Sequence, residues 1–154
     1  MKRGQSVMKV LQRAVFACIL ATVALPVIAQ TDAPTTAASY QPKFAGDPAR
    51  SESEARALGY MRTVLRAQKE YKKKNDKYAP SLLALVHTGS FTRRMTQTDR
   101  GDYTVGFKSH KDGFDLALTP KELAPDRRSF FADEDMDIHA DETKAADEKS
   151  PKIK

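Results

Sequence analysis

The strongest constraint on the fold is a stripe of apolar residues at helical spacing between residues 57 and 71. Its members recur at three- and four-residue intervals and cover about half of a helical circumference. They are Ala57, Leu58, Tyr60, Met61, Val64, Leu65, Ala67 and Tyr71. Ser51 and Glu54 precede the stripe as a capping box, because their side chains can satisfy free N–H groups of a first helical turn. The sequence therefore predicts a helix from Ser51 to about Lys73, with one face covered by another layer.

The residues after this helix predict a sheet as that second layer. Apolar residues alternate with polar or small ones in residues 103–107 and again in 114–118, and a Lys-Asp-Gly turn signal separates the two runs. Residues 129–132 predict a third strand, and Ile138 marks a short fourth strand. The predicted fold class is α+β, in which a long N-terminal helix packs on a small antiparallel sheet of three to four strands.

Residues 1–29 have the three-part layout of a secretory signal peptide. Four basic residues precede a short apolar run, and small or modest side chains precede a cleavage site between Ala29 and Gln30. We expect an exported protein, either periplasmic or at the cell surface or secreted, with no stable membrane span after cleavage. Two alternatives stay open, namely a segment that is kept as an uncleaved anchor and a lipid attached at Cys18.

The export signal changes the meaning of the formal net charge of +6. Without its four basic residues, 22 Lys and Arg remain against 20 Asp and Glu. Residues 40–131 hold 18 basic and 11 acidic side chains, whereas residues 132–154 hold 4 basic and 8 acidic ones. A basic body with an acidic tail can self-associate or bind mixed partners. Nucleic acid is not an expected partner, because the chain carries no signature of a nucleic-acid-binding fold.

The chain after the signal divides into a linker, a body and a tail. Residues 30–50 contain prolines and no apolar period, which predicts a flexible linker. Residues 51–139 carry the helical and strand patterns and form the predicted domain. Residues 140–154 are charged and lack a hydrophobic face, so we expect a disordered tail.

Two short motifs in residues 51–139 resemble those of a known family. One is the run Tyr78-Ala79-Pro80-Ser81-Leu82 after the helix, and the other is the run Arg128-Ser129-Phe130-Phe131-Ala132-Asp133 near the end of the sheet. In this order they resemble the soluble head domains of type IV pilins and type II secretion pseudopilins. The resemblance implies a pilin-like fold and a non-enzymatic accessory or interaction protein, whose protein partner belongs to a secretion or pilus system.

The N-terminal prepilin motif of that family is missing from this chain. Gly4 is followed by Gln5-Ser6-Val7-Met8-Lys9, without the Glu and the long apolar helix that anchor pilin subunits and stack them in a fibre. The resemblance is therefore confined to the head domain, with an ordinary export signal in place of the assembly stem.

A basic stripe on the predicted helix is one candidate binding site. Arg62, Arg66, Lys69 and Lys73 lie on one helical face, opposite the apolar stripe. They could bind an anionic polymer, although the solvated face of an amphipathic helix has the same pattern. The alternative function is therefore a small exported binding module for an anionic polymer or for Ca²⁺.

The Ca²⁺ alternative rests on Asp133, Asp135 and Asp137, which are spaced like the oxygen ligands of a calcium loop. The loop requires Gly where the chain has Ile138 and a bidentate Glu where it has Lys144, so an ordinary acidic turn explains the pattern as well.

No motif in the sequence predicts catalysis or a resident cofactor. The three histidines are isolated from one another, and the chain has no Gly-rich phosphate loop or nucleophile elbow. We therefore predict that the protein is not an enzyme, with Ca²⁺ as the one candidate cofactor.

Overall fold

The computed structural model describes residues 40–153, in which one α-helix packs on one sheet. Helix α1 spans Glu52–Asn75, and two 3₁₀ helices follow it at Leu83–Leu85 and Arg93–Thr96. The strands are β1 (Asp99–Arg100), β2 (Tyr103–Ser109), β3 (Phe114–Pro120), β4 (Ser129–Ala132), β5 (Ile138–Asp141) and β6 (Lys152–Ile153). The predicted signal peptide, including Cys18 and the cleavage site at Ala29 and Gln30, lies outside the described residues.

Both ends of α1 are set by local backbone chemistry. Ser51 is extended, and its hydroxyl oxygen accepts the N–H of Glu54 at 3.2 Å, which confirms the predicted N-cap. At the other end Asp76 adopts a left-handed conformation with φ 55°, and its N–H donates to the carbonyl oxygen of Lys72 at 2.9 Å. Basic side chains in the last turn complement the helix dipole.

The sheet is a meander in which each strand pairs antiparallel with the next one along the chain. The β2–β3 hairpin is its longest pairing, with a register that runs from Tyr103 opposite Pro120 to Ser109 opposite Phe114. One face of the sheet is buried against the apolar stripe of α1, and the two form a single hydrophobic cluster. The buried helical stripe is therefore covered by strands, as its width requires.

The predicted architecture, a long N-terminal helix on a pilin-like sheet of three to four strands, is wrong. Within residues 40–153 one α-helix, Glu52–Asn75, packs on an antiparallel sheet of six strands, so strands outnumber the three to four expected for a pilin-like head. The additional edge strands β1 and β6 have two residues each, too few to show an alternating pattern. A tight turn joins β1 to β2. Gly101 in this turn has φ 72°, and the turn brings Arg100 opposite Tyr103.

The prediction of a disordered tail is also wrong over residues 140–153, which are folded. The carboxylate of Asp141 accepts the N–H of Thr143 at 2.9 Å and so turns the chain after β5. The ammonium group of Lys152 then contacts the carboxylate of Asp137 at 2.6 Å, which places β6 beside β5. Short polar turns and an ion pair hold this segment, so it has no hydrophobic face that sequence analysis could detect.

The end of the predicted linker, residues 40–50, packs against the domain. The side chain of Ala49 is buried in the hydrophobic cluster. Arg50 forms an ion pair with Glu142 and donates to the carbonyl oxygen of Pro125 at 3.1 Å. The structured body therefore begins before the helix cap.

A buried ion pair joins the first turn of α1 to the start of β4. Glu54 is 0% exposed and Arg128 is 6% exposed. Nη2 of Arg128 lies 2.7 Å from Oε2 of Glu54, and Nε lies 3.0 Å from Oε1. The backbone N–H groups of Arg50 and Arg128 each donate to the same carboxylate at 2.9 Å. The buried carboxylate thus accepts hydrogen bonds at both oxygens, as a charge in a protein interior requires.

We expect the substitution Arg128→Met to lower the free energy of unfolding by about 3–5 kcal/mol, because it leaves the Glu54 carboxylate buried without its counter-charge. The double variant Glu54→Met/Arg128→Met should recover part of this loss, since no charge is then left unpaired. Urea denaturation followed by far-UV circular dichroism measures both effects.

The matched control is Arg127→Met, because Arg127 is partly exposed and pairs with Asp126 only at 3.8 Å. Its effect should stay below about 1 kcal/mol. Equal losses for the Arg127 and Arg128 variants would contradict a special role for the buried pair.

Candidate functional site

An arginine-lined groove of about 410 Å³ opens between α1, the second 3₁₀ helix and β1. Its volume is within the range of small-ligand sites. The apolar part of the lining comes from Ala57 and Met95 and from the ring of Tyr60. Its charged lining residues are Arg56, Arg94, Asp99 and Arg100. These residues define the arginine groove.

Tyr60, which belongs to α1, contacts the other two walls of the arginine groove. Its hydroxyl group donates a hydrogen bond to the carbonyl oxygen of Met95 at 3.0 Å, which connects α1 to the second 3₁₀ helix. The guanidinium carbon of Arg100 lies 4.4 Å from the centre of the Tyr60 ring, which connects β1 to α1 through a cation–π contact. Burial raises the pKa of Tyr60 to about 12, although the positive charge of Arg100 acts in the opposite direction.

The arginine groove has more positive than negative charge. Asp99 forms an ion pair with Lys121 at 3.1 Å, and Arg56 lies 3.4 Å from the carboxylate of Glu52. Within residues 40–153, neither Arg94 nor Arg100 has a carboxylate within ion-pair distance. Two guanidinium groups are thus available for an anion that enters the groove.

The basic stripe predicted from the sequence does not line the arginine groove. Arg66, Lys69 and Lys73 are exposed on α1, and Arg62 lies over the ring of Phe44 at 5.7 Å. The residues that do line the groove were missed, because Arg56, Arg94 and Arg100 come from three elements that the chain brings together only on folding.

The acidic residues proposed for Ca²⁺ lie in the turn between β4 and β5. Asp133 accepts the backbone N–H of Asp135 at 3.0 Å, and Asp137 is paired with Lys152. In the part of the chain that the structure describes, no group of three or more His, Cys, Asp or Glu side chains is arranged to hold a metal ion.

Two histidines have polar neighbours in the folded chain. Nε2 of His110 lies 3.7 Å from Asp115 and 3.6 Å from Glu134, at the tip of the β2–β3 hairpin. His139 is buried, and its Nδ1 lies 2.6 Å from the carbonyl oxygen of Ser150. The His139 contact joins β5 to the segment just before β6.

Among residues 40–153, no helix is long and apolar enough to cross a membrane. Comparison of the chain with protein-family models, with curated proteins and with solved structures finds no match. A partner from a secretion or pilus system stays a prediction from the sequence.

We expect Tyr60 to ionise near pH 12. The ultraviolet absorbance titration of the wild type minus that of Tyr60→Phe isolates the phenolate of Tyr60.

The stability of the protein should change over the same pH range. The folded pKa of Tyr60 lies above the unfolded value of 10.0, so the stabilisation by protonated Tyr60 is complete below pH 10.0 and is lost as the pH rises toward about 12. The wild type should therefore lose more free energy of unfolding across this range than Tyr60→Phe. A difference titration centred near 10.0 would count against the buried environment of this ring.

Proposed function

We propose that the protein is an exported, non-enzymatic binding module that holds an anionic polymer in the arginine groove. The observation that carries this proposal is the pair Arg94 and Arg100, two arginines of one groove with no carboxylate partner within residues 40–153. The signal-peptide pattern of residues 1–29 supports the exported part of the proposal.

The chemistry of the groove favours an acidic ligand over a neutral one. Guanidinium groups carry a permanent charge and present several N–H donors in a planar fork that suits carboxylates and phosphates. Tyr60 and Met95 supply an apolar floor beside these donors, and a floor that excludes water strengthens the attraction between unlike charges. The groove is open to solvent, so an anionic group of a polymer can enter it.

The sequence suggests two ligands for a binding module, an anionic polymer and Ca²⁺, and the structure favours Ca²⁺ less. The ammonium group of Lys152 lies 2.6 Å from Asp137, where a cation would have to displace it. The groove and this acidic turn are distinct surfaces, so the two ligands can be tested separately.

Poly-L-glutamate is the probe for this proposal. We expect the double variant Arg94→Ala/Arg100→Ala to bind it at least about tenfold more weakly than the wild type, which corresponds to roughly 1.4 kcal/mol. Wild-type affinity should fall as salt is added, because salt screens exposed charges. Isothermal titration calorimetry at several salt concentrations measures both, after thermal unfolding has shown that the variant is folded.

The matched control removes two positive charges from the exposed stripe of α1 in the variant Arg66→Ala/Lys73→Ala. Its affinity should stay within about twofold of the wild type, because these side chains lie outside the groove. If both variants lose affinity equally, the net charge of the protein and not the groove determines binding, and the proposal fails.

A further inference from the structure

We infer that, besides an anionic polymer, the arginine groove binds the turn Asp133–Asp137 of a second copy of this chain, which competes with the polymer for the same arginines. This inference rests on the proposed function of the groove and names its partner. It also predicts an assembly in which one surface of each copy meets a different surface of the next.

The turn, called here the acidic turn, presents carboxylates at the surface between β4 and β5. Asp133 accepts the N–H of Asp135, and Met136 has φ 65°, so the backbone reverses within these residues. Asp135 is exposed, and within residues 40–153 its carboxylate has no hydrogen-bond or ion-pair partner. Its negative charge is therefore available to a partner, as the positive charges of Arg94 and Arg100 are.

The sheet topology keeps the acidic turn away from the groove of the same molecule. Strands β2 and β4 run in the same direction, because each is antiparallel to β3. The groove residue Gly101 precedes β2, whereas the acidic turn follows β4, so the two surfaces lie at opposite ends of the strands. A strand of seven residues such as β2 is about 20 Å long, far beyond the reach of an ion pair. Contact between these two surfaces must therefore join different molecules.

The two surfaces also belong to parts of the chain with opposite net charge. Residues 40–131, which include the groove, hold 18 basic and 11 acidic side chains. Residues 132–154, which include the acidic turn, hold 4 basic and 8 acidic ones. A second copy is thus a complementary partner that the protein itself supplies.

The geometry of the contact follows from the difference between its two surfaces. Because the groove and the acidic turn are not the same patch, the interface is heterologous and leaves one free groove and one free turn after each addition. Assembly is then head to tail, and it is weakened by salt, because exposed charges carry it.

The test is sedimentation equilibrium of the protein purified from an exporting host. The weight-average mass of the wild type should rise with protein concentration at low salt and return toward the monomer in about 0.5 M NaCl. Arg94→Glu and Asp135→Lys should each sediment as a monomer. An equimolar mixture of these two variants should form dimers, because one supplies an intact turn and the other an intact groove. Glu148→Lys is the matched control for charge reversal outside the turn, and it should associate like the wild type.

The outcomes separate this inference from the proposed function. A wild type that stays monomeric at low salt while it still binds poly-L-glutamate overturns the inference alone. A wild type that neither associates nor binds poly-L-glutamate overturns both. Association that survives Arg94→Glu and Asp135→Lys also overturns the inference, because another surface then carries it. Circular dichroism of both variants establishes that a monomeric result does not come from unfolding.

Discussion

The buried ion pair between Glu54 and Arg128 is the interaction on which the rest of the structure depends. It brings together the first turn of α1 and the start of β4, and the backbone N–H of Arg50 joins the same carboxylate at 2.9 Å. Taking two charges out of water costs several kcal/mol per ion, and only excellent geometry with further hydrogen bonds offsets this cost. Here the carboxylate accepts hydrogen bonds at both oxygens. The pair therefore sets the position of the helix start relative to the sheet.

The arginine groove follows from that placement. Arg56 belongs to the first half of α1 and lines one wall of the groove. The ion pair that positions the start of the helix therefore also positions this wall relative to β1. Tyr60 then connects α1 to both other walls, through its hydroxyl group and through its ring. Tyr60 thus holds Arg100 in the same groove that Arg56 and Arg94 line, and guanidinium groups suit the planar oxygens of carboxylates and phosphates.

The parts of the fold that could be predicted are those whose signal is local. The helix and its cap at Ser51 follow from residues three and four apart, and the β2–β3 hairpin follows from alternation around one turn. Strands β1 and β6 were missed because each depends on a pairing that spans only two residues. The folded segment after Asp141 was missed because polar turns hold it in place. The composition of this segment is similar to that of disordered chains, so it gave no signal of structure.

By itself the sequence determined that the apolar face of α1 must be covered by another layer, because a stripe of that width cannot remain in water, and the alternation in residues 103–118 identified that layer as strands. It also determined the uneven distribution of charge along the chain. Only the tertiary structure decided which charges act together. Arg94 and Arg100 line the same groove as Arg56 because the second 3₁₀ helix and β1 pack near the first half of α1, and no spacing along the sequence encodes that arrangement. Folding likewise buried Glu54, a residue expected only to cap the helix, in an ion pair with Arg128.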